Sequence, residues 1–153
     1  MIVDIDDIDR AILRTLQQDG GLSAKDVGAK VGLSQPAAWR RIKRLEDSGI
    51  INGRIIILDR EKLGFDVVVY LGVKLMTKGR VSLDDFERAV CAIPEVQLVQ
   101  HVLGVYDYRL KVVARDLSDF ERILRRRIMT LPGVGNVESN VLLSEEKAVG
   151  TAI

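Results

Sequence analysis

The first third of the chain carries apolar residues at helical spacing. Within residues 6–18 they recur at intervals of three and four, which is typical of a helix with one buried face. These positions are Ile8, Ile12, Leu13 and Leu16. Asp6, Asp7 and Asp9 crowd the first turn, where the helix dipole favours anions. We expect this helix to end at the glycines of "DGG".

Two further helices are predicted before residue 50. Ser23 is a favourable N-cap, and "SAKD" approximates a capping box with Asp in place of the usual Glu. Ser34 caps the third helix, which carries Pro36 in its first turn, where proline is tolerated. This helix is expected to stop at Gly49.

The pattern becomes β-rich at "IINGRIIILD". Asn52-Gly53 is a turn signal beside β-branched residues, so a small hairpin or wing is expected here. "DREKLG" then has the composition of a connector. We therefore predict two domains, residues 1–62 and residues 63–153.

The second part contains an internal repeat. "LDDFERAVCAIPEV" (83–96) is echoed by "LSDFERILRRRIMTLPGV" (117–134), and the second copy is four residues, about one helical turn, longer. Apolar, β-branched runs precede and follow each copy, at 67–76, 96–103, 108–114 and 134–143. The pattern predicts an α+β fold, in which a ferredoxin-like βαββαβ domain follows a winged helix-turn-helix.

In "VVVYLGVKLM" both alternating sets of side chains are apolar. The helices of a ferredoxin-like domain cover one sheet face, and the other face is polar where it meets water. No other segment of the chain remains to cover a second apolar face. We therefore expect another copy of the protein to cover it.

The third predicted helix contains "WRRIKR", residues 39–44, with four cations, although the 153-residue chain has a formal net charge of only +1. Helical spacing turns Ile42 inward and turns Arg40 and Lys43 outward. Trp39 and Arg44 lie on the flanks. Arg41 lies nearest the core, so it either reaches a flanking phosphate or pairs with an acidic side chain.

Three short helices of which the last has a basic outer face predict a helix-turn-helix that enters the major groove of DNA. Gln35 can pair with adenine and Arg40 with guanine, and Trp39 can contact a thymine methyl group or a sugar. The alternatives are a solvated charged face and, for Trp39, packing against the first helix. The predicted DNA-binding residues are Ser34, Gln35, Pro36, Trp39, Arg40, Arg41, Lys43 and Arg44.

Composition narrows the remaining classes. The chain is 47% hydrophobic and 29% charged, which suits a folded domain with a core. One cysteine and one histidine exclude a disulfide or a zinc site of the usual Cys/His type within one chain, and no cofactor is expected. The acidic N-terminus lacks an apolar signal sequence, and no apolar run approaches the roughly 20 residues of a membrane span. We expect a cytoplasmic protein.

Four stretches resemble the Lrp/AsnC family of transcription regulators, in that family's order and spacing. The first two are the opening "DIDDIDRAILRTLQQDG" and the helix-turn-helix "LSAKDVGAKVGLSQPAAWRRIKRLEDSGII". The others are "LGVYDYRLKV" and "LPGVGNVESNVLL". The resemblance covers nearly the whole chain. It implies a homodimer, often assembled into octamers or hexadecamers, that binds double-stranded promoter DNA and senses an amino acid or a related metabolite.

The resemblance also implies an effector site in clefts between dimers, near the turn from Gly104 to Asp107 and the last strand. Gly104 would allow close backbone approach or a positive φ, and Asp107 would bind an ammonium group. The alternative is a plain hairpin turn. The predicted effector-binding residues are Gly104, Val105, Tyr106, Asp107, Ser139, Asn140 and Val141.

The chain departs from the family pattern near this site. Val105 stands where many members have a polar or acidic residue, Arg109 where Leu is usual, and Ser139 where Thr is frequent. Val105 would favour a less polar effector and Arg109 an anionic one.

Two other functions fit the same fold. One is an architectural DNA binder whose effector response is lost or altered. The other is an enzyme like the siroheme decarboxylases, which share the fold, with His101 and Tyr106 as acid–base groups. A lone histidine on an apolar strand is more often a core or interface residue, so we expect a regulator without catalytic residues.

Overall fold

The computed structural model describes residues 2–76, 83–148 and 150–153. The chain forms two compact units, Met1–Ile57 with Glu146–Ile153, and Leu58–Glu145. The first unit contains the helices α1 (Asp7–Gln18), α2 (Ala24–Val31) and α3 (Gln35–Asp47). The elements of the second unit are β1 (Val67–Leu75), α4 (Leu83–Cys91), β2 (Val96–His101), β3 (Tyr108–Ala114), α5 (Leu117–Ile123) and β4 (Val134–Val141).

The C-terminal segment packs with the first unit. Gln17 Nε2 donates to the carbonyl of Thr151 at 2.9 Å, and Arg14 Nε donates to the carbonyl of Ile153 at 3.0 Å. The Ile153 side chain packs against the apolar core of this unit. The compact units therefore have other bounds than the predicted domains 1–62 and 63–153. That these two domains fold independently stays a prediction.

The caps predicted for α2 and α3 are confirmed. Ser23 and Asp26 form a reciprocal capping box at the start of α2. Ser34 Oγ accepts from the Ala37 backbone N–H at 3.3 Å, with Pro36 in the first turn of α3. The core of the first unit lies between the three helices and is built from Ile12, Leu13, Val27, Ile42 and Leu45, each at most 6% exposed.

The turn between α2 and α3 depends on Gly28, which is buried in α2. A Cβ atom at this position would lie 2.6 Å from the Leu33 carbonyl oxygen and 3.3 Å from Ala38 Cβ. The absence of a side chain therefore lets the two helices approach closely enough to bury Ala38.

An acidic cap joins α1 to α3. The Asp6 side chain accepts from the Asp9 backbone N–H at 2.7 Å, and Asp9 accepts from the Asp6 N–H in return. Arg41 of α3 donates to Asp6 at 2.7 Å and to Asp9 at 2.9 Å. The Asp9 N–H bond and the Arg41 guanidinium hold the pKa of Asp6 at about 2.

The prediction of a hairpin in "IINGRIIILD" is wrong, because residues 50–58 form no strand. Arg54 instead donates to the carbonyls of Gly20 and Leu22, at 3.1 and 3.0 Å. Ile55, Ile56 and Ile57 are 87%, 86% and 89% exposed. A β-strand needs a neighbouring strand to satisfy its backbone groups, and within the described ranges none pairs with this segment.

The second unit has the predicted ferredoxin-like topology. Its four strands lie in the order β2-β3-β1-β4, and all neighbours are antiparallel. Phe86 of α4 and Phe120 of α5 pack on one face of the sheet, against Leu71 and Leu110. The core of this unit therefore lies between that face and the two helices.

The second repeat, which is four residues longer than the first, contains a π-helical turn, Leu124–Ile128. Met129 N–H donates to the Leu124 carbonyl at 2.8 Å, which closes a hydrogen bond between residues five apart. The wider turn brings Ile123 and Ile128 to the same side, and both are fully buried. The sequence pattern predicted an ordinary helical turn here.

The sheet face away from the helices is mixed rather than apolar. Directly paired residues share a face, so Gly72 of β1 lies between Arg109 of β3 and Glu138 of β4. Val68 on this face is only 2% exposed. β1 is apolar as predicted, but the strands on either side of it bring charge to this face.

Replacing Gly28 by alanine is expected to destabilise the first unit. The added Cβ overlaps the Leu33 carbonyl, and forcing a methyl group into a packed interior costs about 1–3 kcal/mol, more than the gain in helix propensity of about 1 kcal/mol. Urea unfolding followed by Trp39 fluorescence, at one fixed protein concentration, measures the change. Gly53→Ala is the control, because a Cβ at Gly53 meets nothing within 4 Å. Equal stability of the two variants would contradict the prediction.

The acidic cap is expected to make stability depend on pH. The folded pKa of Asp6, about 2, lies below the ordinary 3.8, so its contribution is complete above 3.8 and is lost as the pH falls through 2. Asp6→Asn keeps an oxygen for the cap but removes the charge facing Arg41. The variant should be less stable than the parent at pH 7, and the difference should shrink as the pH falls toward 2 and disappear below it, measured by urea unfolding. Asp7→Asn is the charge-matched control in the same turn, and a difference independent of pH would refute the assignment.

Candidate functional site

The outer face of α3 is polar and accessible. Ala38, Ile42 and Leu45 are buried, at 0%, 6% and 1% exposure. Arg40 and Lys43, which helical spacing turned outward, are exposed, and so are Gln35 and Pro36. Trp39 is 58% exposed, so it is not packed into the core of this unit.

Arg41 pairs with acidic side chains, which was one of its two expected roles. Its Nη1 lies 2.7 Å from Asp6 Oδ2 and 2.9 Å from Asp9 Oδ1. These bonds, the one to Asp6 first, raise the pKa of the guanidinium. The side chain is still 29% exposed.

Arg44 lies in the same cluster, which the sequence pattern did not indicate. Its Nη2 donates to Asp9 Oδ2, while its side chain remains 56% exposed. Asp9 itself was missed as a residue of this site. The signal was present, since two aspartates three apart at a helix start predict a capping box, which points the second carboxylate back toward the chain.

The other two cations differ from each other. Lys43 Nζ lies 2.9 Å from Asp47 Oδ1 one turn along, and this bond raises the pKa of Lys43. Both side chains are more than half exposed, so the pair contributes little to stability. Arg40 is exposed, and no ion pair to it occurs among the described residues. Its full charge is available to an external acceptor.

α3 therefore offers chemistry suited to a polyanion. Its N-terminal turn carries Gln35, an amide that can donate and accept, and its centre carries an unpaired guanidinium. Arg41 and Arg44 border this face with guanidinium groups held by carboxylates. Ser34 uses its hydroxyl oxygen in the cap, which leaves its proton as the donor available to a ligand.

The second unit contains a cavity of about 250 Å³. It lies where the β2–β3 connection meets the open face of the sheet. Its walls are Tyr70, Leu71, Gly72, Val102, Gly104, Val105, Tyr106, Tyr108, Arg109, Glu138 and Asn140.

Four of the seven predicted effector residues line this cavity, and three do not. Ser139 and Val141 lie on the helix-facing side of β4, paired with Leu71 and Val69. Asp107 Oδ2 accepts from the Leu75 backbone N–H at 2.8 Å, beside the point where the β1–β4 register shifts. A register shift interrupts the ladder bonds, so Asp107 has a structural role here. Direct contact of these three with an effector stays a prediction.

Of the two reasons expected for Gly104, the positive φ is wrong, whereas close backbone approach to a ligand stays a prediction; a different glycine of this cavity is required by its surroundings. Gly104 has no positive φ, and a Cβ there would meet nothing within 4 Å. A Cβ at Gly72 would instead lie 2.6 Å from Tyr106 Cδ2. Gly72 therefore makes room for the Tyr106 ring on the sheet.

The cavity combines aromatic walls with one cation and one anion. The Tyr106 hydroxyl donates to Glu138, and this bond raises the pKa of the phenol. The Arg109 guanidinium lies 5.5 Å from the centroid of the Tyr70 ring, within the range of a cation–π contact. A small ligand with opposite charges beside an apolar part matches this arrangement.

The two groups suggested for acid–base catalysis lie on opposite faces of the sheet. His101 stacks on Tyr108 with centroids 4.7 Å apart, on the helix side, whereas Tyr106 packs over Gly72 on the open side. The Tyr108 hydroxyl donates to Glu87 at 2.5 Å. Burial, with Glu87 second, raises the pKa of Tyr108.

In the part of the chain that the structure describes, none of the helices has the length and apolar character that a bilayer span needs. No three His, Cys, Asp or Glu side chains in the same ranges come together as metal ligands.

Known sequences match both units. Residues 5–52 match a family model described as winged helix-turn-helix DNA-binding, and residues 68–151 match the Lrp/AsnC ligand binding domain. The chain is 36% identical to the proline dehydrogenase transcriptional activator of Rhizobium radiobacter, over 96% of this chain and 94% of that protein. It is 33% identical to the leucine-responsive regulatory protein of Escherichia coli K12, over 94% and 88% of the two chains.

Solved structures give the same result. A transcriptional regulator of Neisseria meningitidis, in complex with L-Met, superposes with a TM-score of 0.91 at 27% identity, covering 98% of this chain and 97% of that one. An AsnC family regulator of Agrobacterium tumefaciens has a TM-score of 0.87 at 32% identity, over 97% of each chain. With a DNA-binding helix-turn-helix followed by a ligand-binding ferredoxin-like unit, the chain belongs to the Lrp/AsnC family of transcriptional regulators.

Proposed function

We propose that the protein binds specific promoter sequences through α3 and that an amino acid or related metabolite, held by the second unit, alters this binding. The observation that carries the proposal is the exposed Arg40, which has no ion-pair partner within the described ranges, at the centre of a basic face on a helix-turn-helix. Cationic side chains on such a helix contact base edges and phosphates in the major groove.

Roles on this face follow from exposure and pairing. Gln35 and Arg40 are the proposed base-reading residues, since both are exposed near the start or centre of α3. Lys43, Arg41 and Arg44 are the proposed phosphate contacts, because each stays at least partly exposed while a carboxylate of the same unit holds its cationic group. Trp39 is proposed to contact a thymine methyl group or a sugar.

The proposed effector is a small molecule with a carboxylate. Relatives are named for leucine and for proline dehydrogenase, and one similar structure contains L-Met. In this chain Arg109 supplies a cation, Glu138 an anion, and Val105 with the tyrosines an apolar wall. An amino acid or 2-oxo acid with an apolar side chain would match those groups.

A homodimer, with assembly to an octamer or beyond, is part of the proposal. The exposed isoleucines 55–57 support it. Exposed apolar surface of this kind marks a protein interface. We also propose a cytoplasmic location, because a protein that binds promoter DNA has to share a compartment with that DNA.

We propose a regulator rather than an enzyme, because His101 and Tyr106 do not share a site. Sequence specificity in DNA binding distinguishes a regulator from an architectural DNA binder. A specific regulator should prefer its site by at least about 10³-fold over bulk DNA at physiological salt. In a gel-shift assay the purified protein should retard DNA that carries such a site. Incubated with siroheme, it should leave the siroheme chemically unchanged.

Arg40→Ala is expected to relax sequence preference. A bidentate contact to guanine discriminates bases by about 5- to 100-fold, so the preference should fall by that factor. The measurement is fluorescence anisotropy with duplexes selected from a random pool and with a scrambled duplex.

Arg126→Ala is the control for Arg40, because it removes the same charge from an exposed position in the second unit. It should keep the preference of the parent. Equal loss in both variants would indicate a general charge effect and contradict the reading role of Arg40.

Arg109→Ala is expected to weaken effector binding about 10- to 100-fold, which corresponds to losing a charge-assisted hydrogen bond to a carboxylate. Isothermal titration against a panel of amino acids and 2-oxo acids first identifies the ligand. Arg109→Lys should bind with intermediate affinity, since it keeps the charge without the planar fork.

Arg115→Ala is the matched control for Arg109, since it is exposed in the same unit and does not line the cavity. Gel filtration confirms that all variants keep the assembly of the parent. If the parent binds no member of the panel, the amino-acid sensor is refuted in its simple form.

A further inference from the structure

Asp9 is the one charged residue that is buried in the described ranges, at 1% exposure. Three donors satisfy its carboxylate. Oδ1 accepts from Arg41 Nη1 at 2.9 Å, and Oδ2 accepts from the Asp6 backbone N–H at 3.1 Å and from Arg44 Nη2. The carboxylate thus connects the first turn of α1 to the basic run of α3.

Burial makes these contacts obligatory. A carboxylate removed from water is tolerated only when charges or hydrogen bonds compensate it. Asp9 therefore has to keep its hydrogen bonds to Arg41 and Arg44. These bonds hold one end of each guanidinium group in a fixed position. An ion pair between exposed side chains imposes no such restraint, because water replaces either partner at little cost.

The two arginines remain able to contact a ligand. The side chains of Arg41 and Arg44 are 29% and 56% exposed. A guanidinium has five N–H donors, and the bond from Arg44 to Asp9 uses one nitrogen. An already fixed donor loses less side-chain entropy when it meets a phosphate. Phosphate contacts set the register of a protein on the duplex.

The same carboxylates limit the net charge of the face. Arg40, Arg41, Lys43 and Arg44 supply four positive charges, and Asp6, Asp9 and Asp47 pair with three of these residues. Four minus three leaves a net charge of one. Binding to DNA without regard to sequence grows with the number of unneutralised cations, so this arrangement restrains it.

We propose that Asp9 is a positioning residue for DNA recognition, which fixes Arg41 and Arg44 in the register that reads the operator while suppressing sequence-independent binding. The inference rests on the proposed function, in that α3 is taken to read DNA. Asp9 acts through the arginines and does not itself contact DNA.

The test compares Asp9→Asn with the parent full-length protein, on a duplex selected by the parent from a random pool and on a scrambled duplex. Anisotropy titrations across a NaCl series give two quantities, the ratio of the two affinities and the salt slope. In Asp9→Asn the ratio should fall by about tenfold, the size of one lost specific contact. The slope should steepen by about one unit, because one more cation is free to displace counterions.

Asp7→Asn is the matched control, since it removes the same charge from an exposed position of the same helical turn. It should keep the affinity ratio of the parent. A role for Asp9 in stability alone would lower both affinities by one factor and leave the salt slope unchanged. That outcome overturns the inference.

If Asp9→Asn does not fold, Arg44→Lys tests the same positioning role. Arg44 is more than half exposed, and lysine keeps the charge but lacks the planar fork. The affinity ratio should fall while the salt slope stays constant, and a ratio equal to that of the parent overturns the inference. If the parent itself does not prefer the selected duplex, the proposed function fails instead.

Discussion

The first unit depends on a buried carboxylate that two helices share. Asp9 is placed in the interior by the capping box that starts α1, and it is tolerated there because Arg41 and Arg44 reach it from α3. The interaction fixes α3 against α1 on one side, and the close approach at Gly28 fixes α3 against α2 on the other. A helix held on both sides presents its outer residues in one orientation, as DNA recognition requires.

The second unit is organised around β1, the apolar strand beside the centre of the sheet. One face of β1 forms the core with α4 and α5, and the other carries Tyr70 and Gly72. Gly72 admits the Tyr106 ring, and Tyr106 in turn meets Glu138. The cavity thus forms because Gly72 of β1 has no side chain and because the strands on either side of β1 place Arg109 and Glu138 beside it. Asp107, at the same end of the sheet, compensates the irregular pairing of β1 with β4.

Charge is used differently in the two units. The cations of α3 are mostly paired within the first unit, so carboxylates of the same unit neutralise much of the charge of this basic face in a chain whose net charge is +1. In the second unit Arg109 and Glu138 instead line one cavity, which therefore carries groups of both signs. The segment that follows β4 packs on α1, where Arg14 and Gln17 donate hydrogen bonds to its backbone carbonyls.

The sequence alone determined the features that depend on near neighbours. Helical spacing, the Ser23 and Ser34 caps and the repeat specified three helices and a ferredoxin-like sheet, because these signals act within a few residues. Only the tertiary structure decided the partners of Arg41 and Arg44, the faces taken by Ser139 and Val141, and the absence of the expected hairpin. Those outcomes depend on contacts between residues far apart in the chain and, for Ser139 and Val141, on strand register, where a one-residue shift would exchange the two faces.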